Sequence, residues 1–84
     1  MVALEVKRVF KFDGEGATKA MVDIAIAGEF LVRGFRVING RKGLFVSPPG
    51  EQGKDGKWYR KAYALNKETQ AELNKIVLEA YEQD

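Results

Sequence analysis

The chain has neither cysteine nor histidine. Without cysteine there is no disulfide and no thiolate metal site. Without histidine the commonest metal ligand and the usual neutral-pH general base are gone. Ser-His-Asp and Cys-His nucleophile activation are therefore excluded. No apolar run approaches the roughly 20 residues that a membrane-spanning helix needs. The opening residues, Met1-Val2-Ala3-Leu4-Glu5-Val6-Lys7, lack the basic stretch and apolar block of a signal peptide, so the cytoplasm is the expected location.

What remains is an ordinary soluble composition, 45% hydrophobic and 31% charged. With 84 residues, a single domain spanning 1–84 is expected. A chain of this size buries only roughly 60–65% of its unfolded surface, so its core is thin. The net charge of +2 hides an asymmetry. Residues 1–64 hold 12 Lys/Arg against 7 Asp/Glu, and residues 65–84 hold 2 against 5. The basic excess suits a polyanionic partner.

Hydrophobic periodicity orders the elements. Residues 2–12 alternate, with Val2, Leu4, Val6, Phe10 and Phe12 assigned to one face and Glu5, Lys7 and Lys11 to the other, which reads as a half-buried strand broken at Arg8. Asp13-Gly14-Glu15-Gly16 is a turn signal. A second strand follows over 19–27, with Ala20, Val22, Ile24 and Ile26 inward. A third runs from Phe30 to Ile38. Its apolar parity shifts from Phe30 and Val32 to Phe35 and Val37, which predicts a bulge at Gly34. Asn39-Gly40-Arg41-Lys42-Gly43 reads as the next turn, with Asn39-Gly40 its hairpin signal. Leu44 to Ser47 form a short fourth strand, stopped by Pro48-Pro49 because proline offers no N–H to a ladder.

Residues 48–57 are rich in glycine and read as an exposed, mobile loop. Trp58 to Tyr63 resume a strand-like pattern. Asn66 is an N-cap, and Leu73, Ile76, Val77, Ala80 and Tyr81 form the apolar stripe of a helix of about 15 residues. The expected fold is α+β, a small antiparallel sheet of about five strands with a C-terminal amphipathic helix. Its open edges predict a homodimer formed by sheet-edge pairing.

Glu29-Phe30, Arg36-Val37-Ile38-Asn39-Gly40 and Gly43-Leu44-Phe45-Val46 followed by Pro49 make a specific block. Asp13-Gly14, Lys19-Ala20, Asp55-Gly56 before Trp58, and Ala64-Leu65-Asn66 extend it over essentially the whole chain. This pattern resembles the SpoVG family of small bacterial septation and sporulation regulators. The resemblance implies a cytoplasmic dimer that binds DNA, and also RNA, to control gene expression. It departs at one place. Family members typically carry Ser-Lys-Arg after the proline, a basic pair implicated in nucleic-acid binding, whereas this chain reads Gly50-Glu51-Gln52.

Nearby basic residues are the candidates to take over. Lys54, Lys57, Arg60 and Lys61 interleave with Trp58, Tyr59 and Tyr63, a pairing of phosphate-binding cations with base-stacking rings. Arg41 and Lys42, in the tight turn, are expected to help, within a second cluster that includes Arg33 and Arg36. In a purely structural reading Trp58 and Tyr63 are core residues, and Arg36 pairs with Glu29 or Asp23. Lys7, Arg8, Lys11 and Lys19 read as the solvated side of the first hairpin.

No enzyme, cofactor, metal or small-molecule substrate is expected. No two acids share a buried face, Gly14-x-Gly16 and Gly50-x2-Gly53 lead into no helix, and Asp13-Gly14-Glu15 has too few oxygens for a cation. The other functional reading is a protein-interaction adaptor that uses the acidic helix face of Glu68, Glu72, Glu79 and Glu82.

Overall fold

The computed structural model describes residues 2–83. Four antiparallel strands, β1 (Leu4–Lys11), β2 (Thr18–Ile26), β3 (Phe30–Gly40) and β4 (Gly43–Ser47), pair in sequence order. Two short strands, β5 (Gly50–Gln52) and β6 (Trp58–Arg60), form a separate hairpin, and α1 (Lys67–Glu82) closes the chain. The fold is α+β. The strands after Pro48-Pro49 do not extend the main sheet, because the two prolines interrupt the ladder and turn the chain away.

Strand β2 follows its alternation. Ala20, Val22 and Ile24 are buried beneath the helix, with Phe35 and Val37 of β3 beside them. Helix α1 lies on this inner face with Leu73 and Val77 buried, and Ile76, Leu78 and Tyr81 packed around them. Its start is capped as the sequence predicts: Asn66 Oδ1 accepts a hydrogen bond from the Thr69 amide at 2.8 Å. At its other end Lys11 Nζ donates to the Gln83 carbonyl at 2.8 Å, a cation where the helix dipole favours one.

The first strand corrects the sequence reading. Its register against β2 slips between Val6 and Arg8, a β-bulge that reverses the side-chain parity. Leu4 and Val6 face inward before the bulge, and Val9 does so after it. Phe10 and Phe12 are therefore not core residues; they are 44% and 49% exposed on the outer face. The same slip carries Lys11 over to the helix side, where its ammonium lies over the Tyr81 ring. Val2, also assigned inward, is 42% exposed.

The expected bulge in β3 is present. Val22 pairs with Phe35 and Ile24 with Val32, so β3 carries one extra residue there. Gly34 absorbs it at φ +101°, a conformation strained for any residue with a Cβ. The β3–β4 turn lies within the segment read as a turn and is tighter than that segment. Gly40 pairs with Gly43, so Arg41 and Lys42 make the turn, and Gly43 at φ +115° supplies the positive φ. With that demand met, Asn39 and Gly40 stay on the strand.

Candidate nucleic-acid interface

The segment after Pro49 is more ordered than its composition suggests. Gly50, Glu51 and Gln52 pair with Arg60, Tyr59 and Trp58. The turn between them is closed by the Gly53 amide donating to the Lys57 carbonyl at 2.8 Å and by Gln52 Nε2 donating to the Gly56 carbonyl at 3.0 Å. Asp55 organises the tip: its carboxylate accepts from the Lys57 amide at 3.0 Å and from the Tyr59 hydroxyl. The expected mobile loop is thus a hydrogen-bonded hairpin. Short strands of three residues show no alternation, so periodicity does not reveal them.

The Tyr59 hydroxyl, and after it the Lys57 amide, lower the Asp55 pKa below the ordinary carboxylate value. The same hydrogen bond raises the Tyr59 pKa. The two signs define a window. The Asp55 contribution is complete above the unfolded carboxylate value of about 3.9 and is lost as pH falls through the lowered one. The Tyr59 contribution is complete below about 10 and is lost as pH rises through the raised value. Emission from Trp58, the single tryptophan, should be flat between these limits and change beyond each. In Tyr59→Phe the alkaline change should vanish. A parent profile without either change would show that this contact does not hold the hairpin.

The hairpin gathers Lys54, Lys57, Trp58, Arg60 and Lys61, all exposed. Trp58 is not a core residue. It is 46% exposed, and the Arg36 guanidinium lies 4.7 Å from its ring centroid. Arg36 is steadied by a hydrogen bond to Ser47 Oγ at 3.3 Å, and so does not pair with Glu29 or Asp23. Asp23 pairs instead with Arg33, at 3.8 Å. Arg60 stacks over Tyr63 at 4.1 Å, and Tyr63 is itself 49% exposed.

Lys61 forms a surface ion pair with Glu51 at 3.3 Å, so the acid at the departure from the family pattern offsets one cation. Lys54, Lys57 and Arg60 make no ion pair among the described residues. Arg41 and Lys42 stand apart at the β3–β4 turn. From Arg36 they are five or six residues along the chain, roughly 16 Å or more on an extended strand.

The SpoVG family profile matches residues 1–83. The chain belongs to the SpoVG family. A SpoVG septation protein of Lachnospira eligens is 45% identical over 75 residues, covering 89% of this chain and 85% of its own length. A SpoVG septation protein of Clostridium perfringens is 35% identical over 75 residues, with 89% and 83% coverage. One from Caldanaerobacter subterraneus is 37% identical over 75 residues, with 89% and 82% coverage. Among the described residues of this SpoVG chain, no helix is long and apolar enough to cross a membrane.

Sequence reasoning missed the partners on the outer face. Arg8 lies 4.3 Å from the centroid of the Phe10 ring, beside Phe12. The adjacent charges Lys7-Arg8, interrupting the apolar phase, were the available sign of the bulge that turns these rings outward.

Proposed function

We propose that this SpoVG-family chain is a non-enzymatic, cytoplasmic regulator that binds DNA or RNA as a homodimer and controls gene expression in septation or sporulation. Lys54, Lys57, Arg60 and Lys61 contact phosphates, with Arg41 and Lys42 reaching further along the same polymer. The observation that carries this reading is the exposed Trp58 held under the Arg36 guanidinium at the root of the basic hairpin. A half-exposed ring among cations supports contact with a phosphate chain that also presents bases. The names of the relatives support a role in septation.

Binding of this kind releases counterions. The affinity for a labelled oligonucleotide should fall linearly on a log–log plot against salt, with a slope of about −0.7 to −0.9 per phosphate contacted. Four to six cations thus give a slope of roughly −3 to −5. A slope near zero would rule out phosphate contact as the source of affinity.

The dimer rests on the two sheet edges. Neither β1 nor β4 has a second strand partner among the described residues. Phe45 on β4 is 48% exposed, and Phe30 at the start of β3 is 71% exposed. Sedimentation at micromolar concentration should report a dimer, and pairing doubles the basic surface available to one polymer. A clean monomer there would count against edge pairing.

A further inference from the structure

Helix α1 covers the inner face of the sheet, and among the described residues no helix covers the outer one. Two depressions of about 430 and 400 Å³ adjoin on that outer face, sharing Met21, Arg33 and Gly34. At one end stand Phe10, Phe12 and Arg8 of the first hairpin; at the other stand Arg36, Trp58 and Lys61. Together they form one trough across the sheet, with stacked Arg–aromatic pairs at both ends. We infer that this trough binds the unpaired bases of single-stranded nucleic acid, an inference that rests on the nucleic-acid reading above and specifies its ligand.

Charge and shape both select this occupant. Arg8, Arg33, Arg36 and Lys61 surround the trough. The acid within it, Asp23, is 8% exposed and engaged by Arg33. Lys61 is likewise paired with Glu51, so Arg8 and Arg36, free of ion pairs among the described residues, are the cations the trough offers a ligand, and its walls are aromatic. A guanidinium lying on a ring is held flat, and its free face is a stacking surface for a base. The edge N–H groups of the same guanidinium remain for phosphate oxygens. A duplex keeps its base faces stacked inside and presents none of them to Phe10 or Trp58, whereas a single strand can turn bases out onto such rings. The β1 bulge creates this platform, since unbroken alternation would bury Phe10 and Phe12.

The test compares a fluorescein-labelled single-stranded RNA of twelve nucleotides with its duplex by anisotropy. The proteins are the parent, Phe10→Ala/Phe12→Ala and Arg36→Lys. The single strand should bind at least tenfold more tightly than the duplex and should quench Trp58 emission. The double phenylalanine variant should bind the single strand roughly 30-fold more weakly, the low end for two lost stacking contacts. Its salt slope should be unchanged, because no cation is removed. Arg36→Lys keeps the charge and loses the flat stacking plane, so it should weaken binding about fivefold or more with the same slope. Both variants alter exposed or half-exposed side chains, and their circular dichroism should match the parent. Equal or tighter binding of the duplex overturns the inference. So does a phenylalanine variant within twofold of the parent, and either result leaves the hairpin reading standing. Failure of both RNAs and of DNA of the same sequence, single-stranded and duplex, to bind overturns the inference together with the reading beneath it.

Discussion

Replacing Lys54, Lys57 and Lys61 together by Glu should cost about 100-fold in affinity for nucleic acid at 0.15 M salt, even before any repulsion is counted. Three lost phosphate contacts, each worth about 0.7–0.9 in the log–log salt slope, account for that factor through the counterions no longer released. The residual slope should be shallower by about two to three. Repulsion adds to the loss, since a carboxylate at 61 would stand beside Glu51, whose partner it replaces. The fold should survive. All three side chains are exposed, and the hairpin is held by backbone hydrogen bonds together with Gln52, Asp55 and Tyr59. Anisotropy against salt measures the effect, and unchanged Trp58 emission would show that the hairpin is intact. A triple variant that binds DNA and RNA like its parent would remove the hairpin from the site.

The same variant separates the two functional readings. An adaptor working through Glu72 and Glu79 would keep its protein partner after the lysines are reversed, because those acids lie on α1 and not on the hairpin. A regulator that grips phosphates would lose its target. The ion pair of Lys61 with Glu51 adds a finer point. It leaves Lys54, Lys57 and Arg60 as the cations free of ion pairs among the described residues.

Different parts of the fold are legible in the sequence for different physical reasons. Strand β2 carries Ala20, Val22, Ile24 and Ile26 in one phase, so only one face can be buried. The bulge in β3 is legible because a glycine sits where the apolar parity changes, and Gly34 adopts the positive φ that such a site favours. Strand β1 is different. Val9 is apolar in one phase and Phe10 and Phe12 in the other, so either phase supplies a hydrophobic face. A one-residue slip then exchanges the two faces with no loss of pattern. The β5–β6 hairpin is hidden for another reason: its order comes from side chains bonding across a turn rich in glycine. The basic cluster of Lys54 to Lys61 was readable as a run in sequence, but its contact with Arg36 was not. That contact joins residues 22 positions apart and depends on where the prolines send the chain.

Substituting Ile24 by Ala tests the face assignment at its centre and should be the most damaging single change among those considered. Ile24 is fully buried in β2, between Val6 of β1 and Val32 of β3, on the face that α1 covers. Truncating a buried Ile costs about 2–5 kcal/mol, combining lost burial with the cavity left behind. A domain of this length has only roughly 4–13 kcal/mol in total, so a large share of its stability would go. At about 4–8 °C per kcal/mol for a chain of this size, the melting temperature should drop by about 8 °C or more. Phe10→Ala removes a larger side chain from β1 and should cost far less, because that ring is 44% exposed beyond the bulge. Unbroken alternation would put Phe10 in the core and make its loss comparable to that of Ile24, at about 3–5 kcal/mol. Thermal unfolding of the two variants side by side therefore decides whether β1 slips between Val6 and Arg8. Equal losses would return Phe10 and Phe12 to the core and leave the outer trough without its aromatic wall.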